Sequence, residues 1–164
     1  MSAWLSPASL DEIARERAKY PPEQARSALL AALRIAQDEH GYLPDALIEH
    51  VAELLGVPAI QAFEVATFYT MYDLQPVGKH QFCVCGSVSC FLNDSDGILA
   101  HLQERLGIGI GETTADGLFT IKEVECLGAC KDAPVMQLAD RYIEDLTPAK
   151  LDALIAELRK EADK

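Results

Sequence analysis

Residues 80–90 read HQFCVCGSVSC, and residues 118–130 read LFTIKEVECLGAC. Each begins as a stretch of strand length and ends in a short loop bounded by two cysteines. Phe82 and Val84 fall on one face of the first stretch, Cys83 and Cys85 on the other. In the second, Phe119, Ile121 and Val124 stand against Thr120, Lys122 and Glu125, an imperfect alternation. Four residues separate Cys85 from Cys90, three separate Cys126 from Cys130, and thirty-five (91–125) separate the two pairs. That interval holds a helix and a strand. Cysteine loops carried at the ends of two strands can converge on one metal centre, and the four thiols Cys85, Cys90, Cys126 and Cys130 are its candidate ligands.

The elements around these loops follow from periodicity. Residues 93–106 are expected to be helical, with Ile98, Leu99, Leu102 and Leu106 inward, and 107–117 (GIGIGETTADG) a loop. VMQLA (135–139) and YIEDL (142–146), joined by a turn at Asp140-Arg141, form a plausible hairpin. Thr147-Pro148 caps a last helix that buries Leu151, Leu154, Ile155 and Leu158. The order strand, helix, strand, strand, strand, helix suits a small α/β layer fold with a mixed sheet.

Upstream of a linker at 73–79 (DLQPVGK), the chain reads as helices. The capping-box pattern Ser9 to Glu12 is expected to open one that stops near Tyr20, before Pro21-Pro22. A longer helix is expected from Pro22 or Glu23 to about Glu39, closed by Gly41. Another starts at Pro44 and ends at Gly56, and a fourth runs from Pro58 to about Tyr72. The fourth is apolar almost all round, with Gln61, Glu64, Thr67 and Thr70 as one polar line. Such a helix is either the centre of a small bundle or covered by a partner chain. The expected organisation is therefore α+β, an N-terminal helical bundle (1–76) followed by an α/β domain (77–164).

The 164 residues carry 26 acids against 14 bases, a formal charge of -12. That balance opposes binding to nucleic acid or to an anionic membrane surface. No apolar run reaches the length of a membrane span. The start, MSAWLSPASLDEIARERAKY, lacks the order of a signal peptide. A cytoplasmic chain is expected. In a reducing compartment its five cysteines are metal ligands or thiols rather than disulfides.

Soft thiolate matches iron bridged by sulfide, and four cysteines hold a two-iron cluster. Structural zinc is the rival Cys₄ occupant. Zinc sites favour two-residue gaps and often include His. Here the gaps are longer and no His adjoins either pair, so the spacing favours iron–sulfur. Cys83 is the fifth cysteine, read as a buried small hydrophobe or as a competitor for the ligand role. Gly86 and Gly128 allow backbone N–H groups near the sulfurs, or only make the turns. Glu123, Glu125 and Asp132 flank the second pair, and their charge is expected to disfavour an added electron. GIGIGE follows a helix and lacks nucleotide-loop spacing. His40, His50, His80 and His101 are scattered. No nicotinamide or flavin site is legible, so any hydride chemistry belongs to another subunit.

These residues resemble a known family. CGSVSC and ECLGACKDAPVM, with the upstream IAQDEHGYLP and EVATFYTMY, are similar to the E subunit of bacterial NADH-quinone oxidoreductase, respiratory complex I. The resemblance runs from about residue 20 to 160. It implies a helical bundle followed by a thioredoxin-like [2Fe-2S] ferredoxin domain, with Cys85, Cys90, Cys126 and Cys130 as ligands and Cys83 outside the motif. It further implies an F subunit that binds FMN and NADH, other peripheral-arm subunits, and a place on the cytoplasmic face of the membrane without insertion into it. The cluster would exchange single electrons with that flavin. A cis Ala133-Pro134 peptide is also expected from the resemblance. The equivalent small subunit of a soluble NAD-linked formate dehydrogenase or hydrogenase shares both cysteine motifs and is the alternative.

Overall fold

The computed structural model describes residues 4–162. The chain forms two compact units, Met1–Pro76 and Val77–Lys164. Residues 1–3 and 163–164 of the two expected domains lie outside the described residues.

The first unit is helical. It contains α1 (Pro7–Arg17), a 3-10 stretch (Pro22–Ala28), α2 (Leu29–His40), α3 (Asp45–Leu55) and α4 (Ala59–Phe68). Helix α1 starts about a turn earlier than the Ser9 capping box implies. Ser6 is the N-cap, its hydroxyl accepting the Ser9 N–H at 3.3 Å, and Pro7 takes the first position, where its missing donor costs nothing. The expected single helix from Pro22 is broken instead. Gln24 leaves helical geometry (φ -110°, ψ 32°), and regular α-helix begins only at Leu29. Gly41 and Gly56 close α2 and α3 in the left-handed region, as expected.

Helix α4 departs most from expectation. It ends at Phe68 rather than Tyr72, because the Gln37 side chain takes over the backbone beyond it. Gln37 Nε2 donates to the Met71 carbonyl at 3.0 Å, and the Asp73 N–H donates to Gln37 Oε1 at 2.7 Å. Only Ala62 and Ala66 of α4 are fully buried, while Ile60 and Phe68 are 65% and 77% exposed. It is therefore not the bundle's centre. The core lies between α2 and α3, on Leu29, Leu33, Leu47, Ile48 and Val51.

The second unit contains β1 (His80–Cys85), α5 (Val88–Leu92), α6 (Ser95–Leu106), β2 (Phe119–Val124), a 3-10 turn (Cys130–Asp132), β3 (Met136–Leu138), β4 (Arg141–Ile143) and α7 (Pro148–Ala162). The sheet is mixed, in the order β2-β1-β3-β4, with β1 and β2 parallel and the other pairs antiparallel. An α+β chain with a mixed sheet is the expected class. Phe82, Val84, Phe119, Ile121 and Met136 bury the sheet face in one cluster with Ile98, Leu102, Leu151 and Ile155 of α6 and α7. Asp152 of α7 ties the two helices, pairing with Arg105 Nε at 2.9 Å and facing His101 Nε2 at 3.2 Å.

Three local differences stand out. The helix expected over 93–106 is α6, which begins at Ser95 after Asp94 at φ 67°, and an unexpected short helix, α5, precedes it and carries Cys90. The hairpin turns at Ala139-Asp140, one residue early, with Ala139 at φ 51°. Thr120 is buried although it stands opposite Phe119 and Ile121 on the strand. Its hydroxyl accepts the Gly78 N–H at 2.7 Å and bonds the Thr113 hydroxyl at 2.7 Å, which satisfies a polar group in the core. The Ala133-Pro134 peptide is cis, as the resemblance implies. Among the described residues no helix is long and apolar enough to cross a membrane.

Candidate metal centre

Parallel pairing of β1 with β2 assembles the site. The register sets Cys85 beside Val124, so the residues that follow each strand leave the sheet at the same end. Gly86 N–H donates to the Val124 carbonyl at 2.9 Å, which holds the start of one cysteine loop against the start of the other. On the other side of β1, the Cys85 N–H donates to the Val135 carbonyl at 3.0 Å. Cys85, Cys90 and Val135 form a small buried cluster with Leu127, Ala129 and Ala133 around it.

The four thiols stand as two pairs. Cys126 Sγ and Cys130 Sγ are 3.5 Å apart, and the Gly128 N–H donates to Cys126 Sγ at 3.4 Å. That separation is a contact between thiols; a disulfide bond is about 2.05 Å. Cys85 and Cys90 hydrogen-bond each other from buried positions, whereas Cys126 and Cys130 are exposed. The pairs act on each other: the Leu127 N–H of the second loop lowers the Cys85 thiol, and the Ser89 hydroxyl of the first loop pulls Cys130 in the same direction. Among the described residues no group of three or more His, Cys, Asp or Glu side chains has the arrangement of a site for a single metal ion.

The thiols differ in acidity. Burial pushes Cys85 up most strongly, but hydrogen bonds from the Ser87 and Leu127 N–H groups and from Cys90 outweigh it and hold Cys85 below the ordinary thiol value. Cys90 is raised, chiefly by burial and then by donating to Cys85. Cys130 is raised, first by its hydrogen bond to Cys126 and then by that neighbour's charge. This donor set fits a thiolate-bound cluster: soft sulfur ligands in two pairs, with an N–H or O–H group acting on each of the four.

Cys83 lies apart, in the middle of β1, opposite Lys122 and Gln137 on the neighbouring strands. Of the acids flanking the second pair, two reach the first loop. A Cβ at Gly86 would strike Glu123 Oε1, and Glu125 Oε2 accepts the Ser87 hydroxyl at 3.3 Å. Sequence reasoning passed over Ser87, Ser89 and Tyr142. The serines lie in plain view inside CGSVSC. Tyr142, whose hydroxyl donates to the Leu127 carbonyl at 2.8 Å, carries no local signal, because its contact spans fifteen residues.

A mixed sheet with helices packed on it and two thiol pairs beyond its parallel strands defines a thiol-centred domain of the thioredoxin-like class. The thioredoxin-like [2Fe-2S] ferredoxin family matches residues 4–159, and the chain belongs to that family. It is 49% identical over 149 residues to an NADH-quinone oxidoreductase E subunit (the one numbered 2) of Rhizobium meliloti (strain 1021), covering 91% of this chain and 88% of that one. It is 51% identical over 144 residues to the NADH-quinone oxidoreductase E subunit of Rickettsia bellii (strain RML369-C), covering 87% and 86%. Among solved structures, the NAD+-reducing [NiFe]-hydrogenase in the air-oxidized state is similar, with a TM-score of 0.71 and 24% identity over 81% of this chain. This chain spans 23% of that hydrogenase chain, and the likeness is one of fold.

Proposed function

We propose that Cys85, Cys90, Cys126 and Cys130 would hold one [2Fe-2S] cluster, and that the chain is the electron-transferring E subunit of an NADH-quinone oxidoreductase. The observation that carries this reading is that parallel pairing brings both cysteine loops to one end of the sheet, where the Gly86 N–H on the Val124 carbonyl and the Ser87 hydroxyl on Glu125 hold them together. Relatives about half identical over most of their length bear that name. The cluster supplies a one-electron centre. The chain's own residues orient the sulfurs, donate N–H groups to them, and bury the Cys85–Cys90 half away from water.

The partner is a subunit carrying FMN and oxidising NADH, with other peripheral-arm subunits around it, on the cytoplasmic side of the membrane. Two features support a partner. This chain has no nicotinamide or flavin motif, and exposed Ile60, Phe68 and Met71 on and just beyond α4 leave apolar surface for another chain to cover.

The test is to tag the chain in its own cells and isolate what it assembles with. The expected product is a detergent-solubilised membrane complex that contains flavin and reduces quinone with NADH. Recovery in a soluble assembly bearing nickel or molybdenum would instead place it in a hydrogenase or formate dehydrogenase.

A further inference from the structure

Tyr142 lies on β4, at the sheet edge farthest from β2. It is 47% exposed, so its ring contributes little to the core. Its hydroxyl donates to the carbonyl oxygen of Leu127 at 2.8 Å. That carbonyl and the N–H of Gly128 belong to one peptide group. The same N–H donates to Cys126 Sγ at 3.4 Å. A continuous relay thus runs from the Tyr142 hydroxyl, through the Leu127–Gly128 peptide, to a sulfur at the metal centre. Gly128 makes the geometry possible: at φ 82° it turns the peptide so that its carbonyl faces β4 while its N–H faces Cys126.

Hydrogen bonds in series polarise one another. A donor on the carbonyl draws electron density to oxygen and makes the N–H of that peptide a stronger donor. An N–H held on a ligand sulfur stabilises negative charge there, and hydrogen bonds to sulfur are among the levers that set a cluster's potential. Reduction adds one negative charge to the centre, so strengthening this donor favours the reduced state.

We propose that Tyr142 is a positioning residue for the metal centre, its hydroxyl orienting and polarising the Leu127–Gly128 peptide so that the Gly128 N–H stays on the Cys126 sulfur. The inference rests on the [2Fe-2S] reading above. It predicts opposite effects of opposite changes at one atom. Tyr142→Phe deletes the hydroxyl and keeps the ring. A 3-fluorotyrosine placed at 142 keeps the hydroxyl and makes it a stronger donor.

The experiment is a redox titration of the cluster-loaded chain, followed by electron paramagnetic resonance, for parent, Tyr142→Phe and the fluorotyrosine chain. Tyr142→Phe is expected to take up an electron about threefold less favourably, about 28 mV lower by the one-electron conversion. The fluorotyrosine chain is expected to shift upward. Packing alone gives no such reversal of sign. Unchanged potentials in both variants, or shifts in the same direction, would overturn the proposal. If Tyr142→Phe does not retain the cluster, the fluorotyrosine chain decides: an upward shift supports the relay and no shift overturns it. A parent chain without a cluster overturns the [2Fe-2S] reading itself and this inference with it, an outcome distinct from a loaded parent whose variants do not shift.

Discussion

The hydroxyl of Ser87 donates to a carboxylate oxygen of Glu125 at 3.3 Å, so the residue before Cys126 is tied to the second residue after Cys85. This bond places a negative charge across both cysteine loops. Glu125→Gln retains an oxygen that accepts from Ser87 and removes the charge. Its cluster potential is expected to rise by about 30 mV, half the interval of a tenfold one-electron change. Ser87→Ala removes the clasp and keeps the charge, so its potential should stay near the parent's. A redox titration of both variants separates the two effects.

The other end of the sheet depends on Thr120 and Gly78. Thr120→Val leaves the buried Gly78 N–H without its acceptor and is expected to cost about 1–3 kcal/mol. Gly78→Ala places a Cβ 2.7 Å from the Phe119 carbonyl carbon, a backbone atom that cannot yield, and is expected to cost about 1–3 kcal/mol through overpacking. Gly86→Ala meets only the mobile end of Glu123 and should be milder. Urea unfolding of the three variants gives the ranking, and a Gly78→Ala chain as stable as the parent would contradict it.

Burial raises the Tyr72 phenol to about 12, with the Tyr69 charge adding to the effect. Its hydroxyl donates to the Leu30 carbonyl at 2.8 Å. The unfolded phenol titrates near about 10. The stabilisation is therefore complete below that value, fades as pH rises, and is gone above about 12. Helix content in the parent should fall through this window at alkaline pH. Tyr72→Phe should be less stable at neutral pH by about 1 kcal/mol and lose less on going alkaline.

Much of this was legible in the chain. The thiol loops follow β1 and β2 because apolar alternation stops at a glycine or an acid just where each loop begins. Gly41, Gly56 and the helix from Pro148 were readable from caps and spacing. What was not legible depends on distant partners. Thr120 looks like an outward residue until Gly78 and Thr113 supply its hydrogen bonds. Tyr69 to Tyr72 look helical until Gln37, more than thirty residues earlier, captures the backbone of Met71 and Asp73. The exposure of α4 was hidden for a similar reason: its buried contacts are made by two alanines, while its large side chains face out.

The central claim is that two cysteine pairs hold one two-iron cluster. The most direct test is to purify the chain and its five single Cys→Ala variants without oxygen. For each, iron, zinc and acid-labile sulfide are measured together with the paramagnetic signal after one-electron reduction. The account predicts about two irons and two sulfides per parent chain. It predicts one signal that survives Cys83→Ala and is lost or severely weakened on changing Cys85, Cys90, Cys126 or Cys130. A colourless chain with one zinc, or a cluster that needs Cys83 and not Cys85, would contradict it.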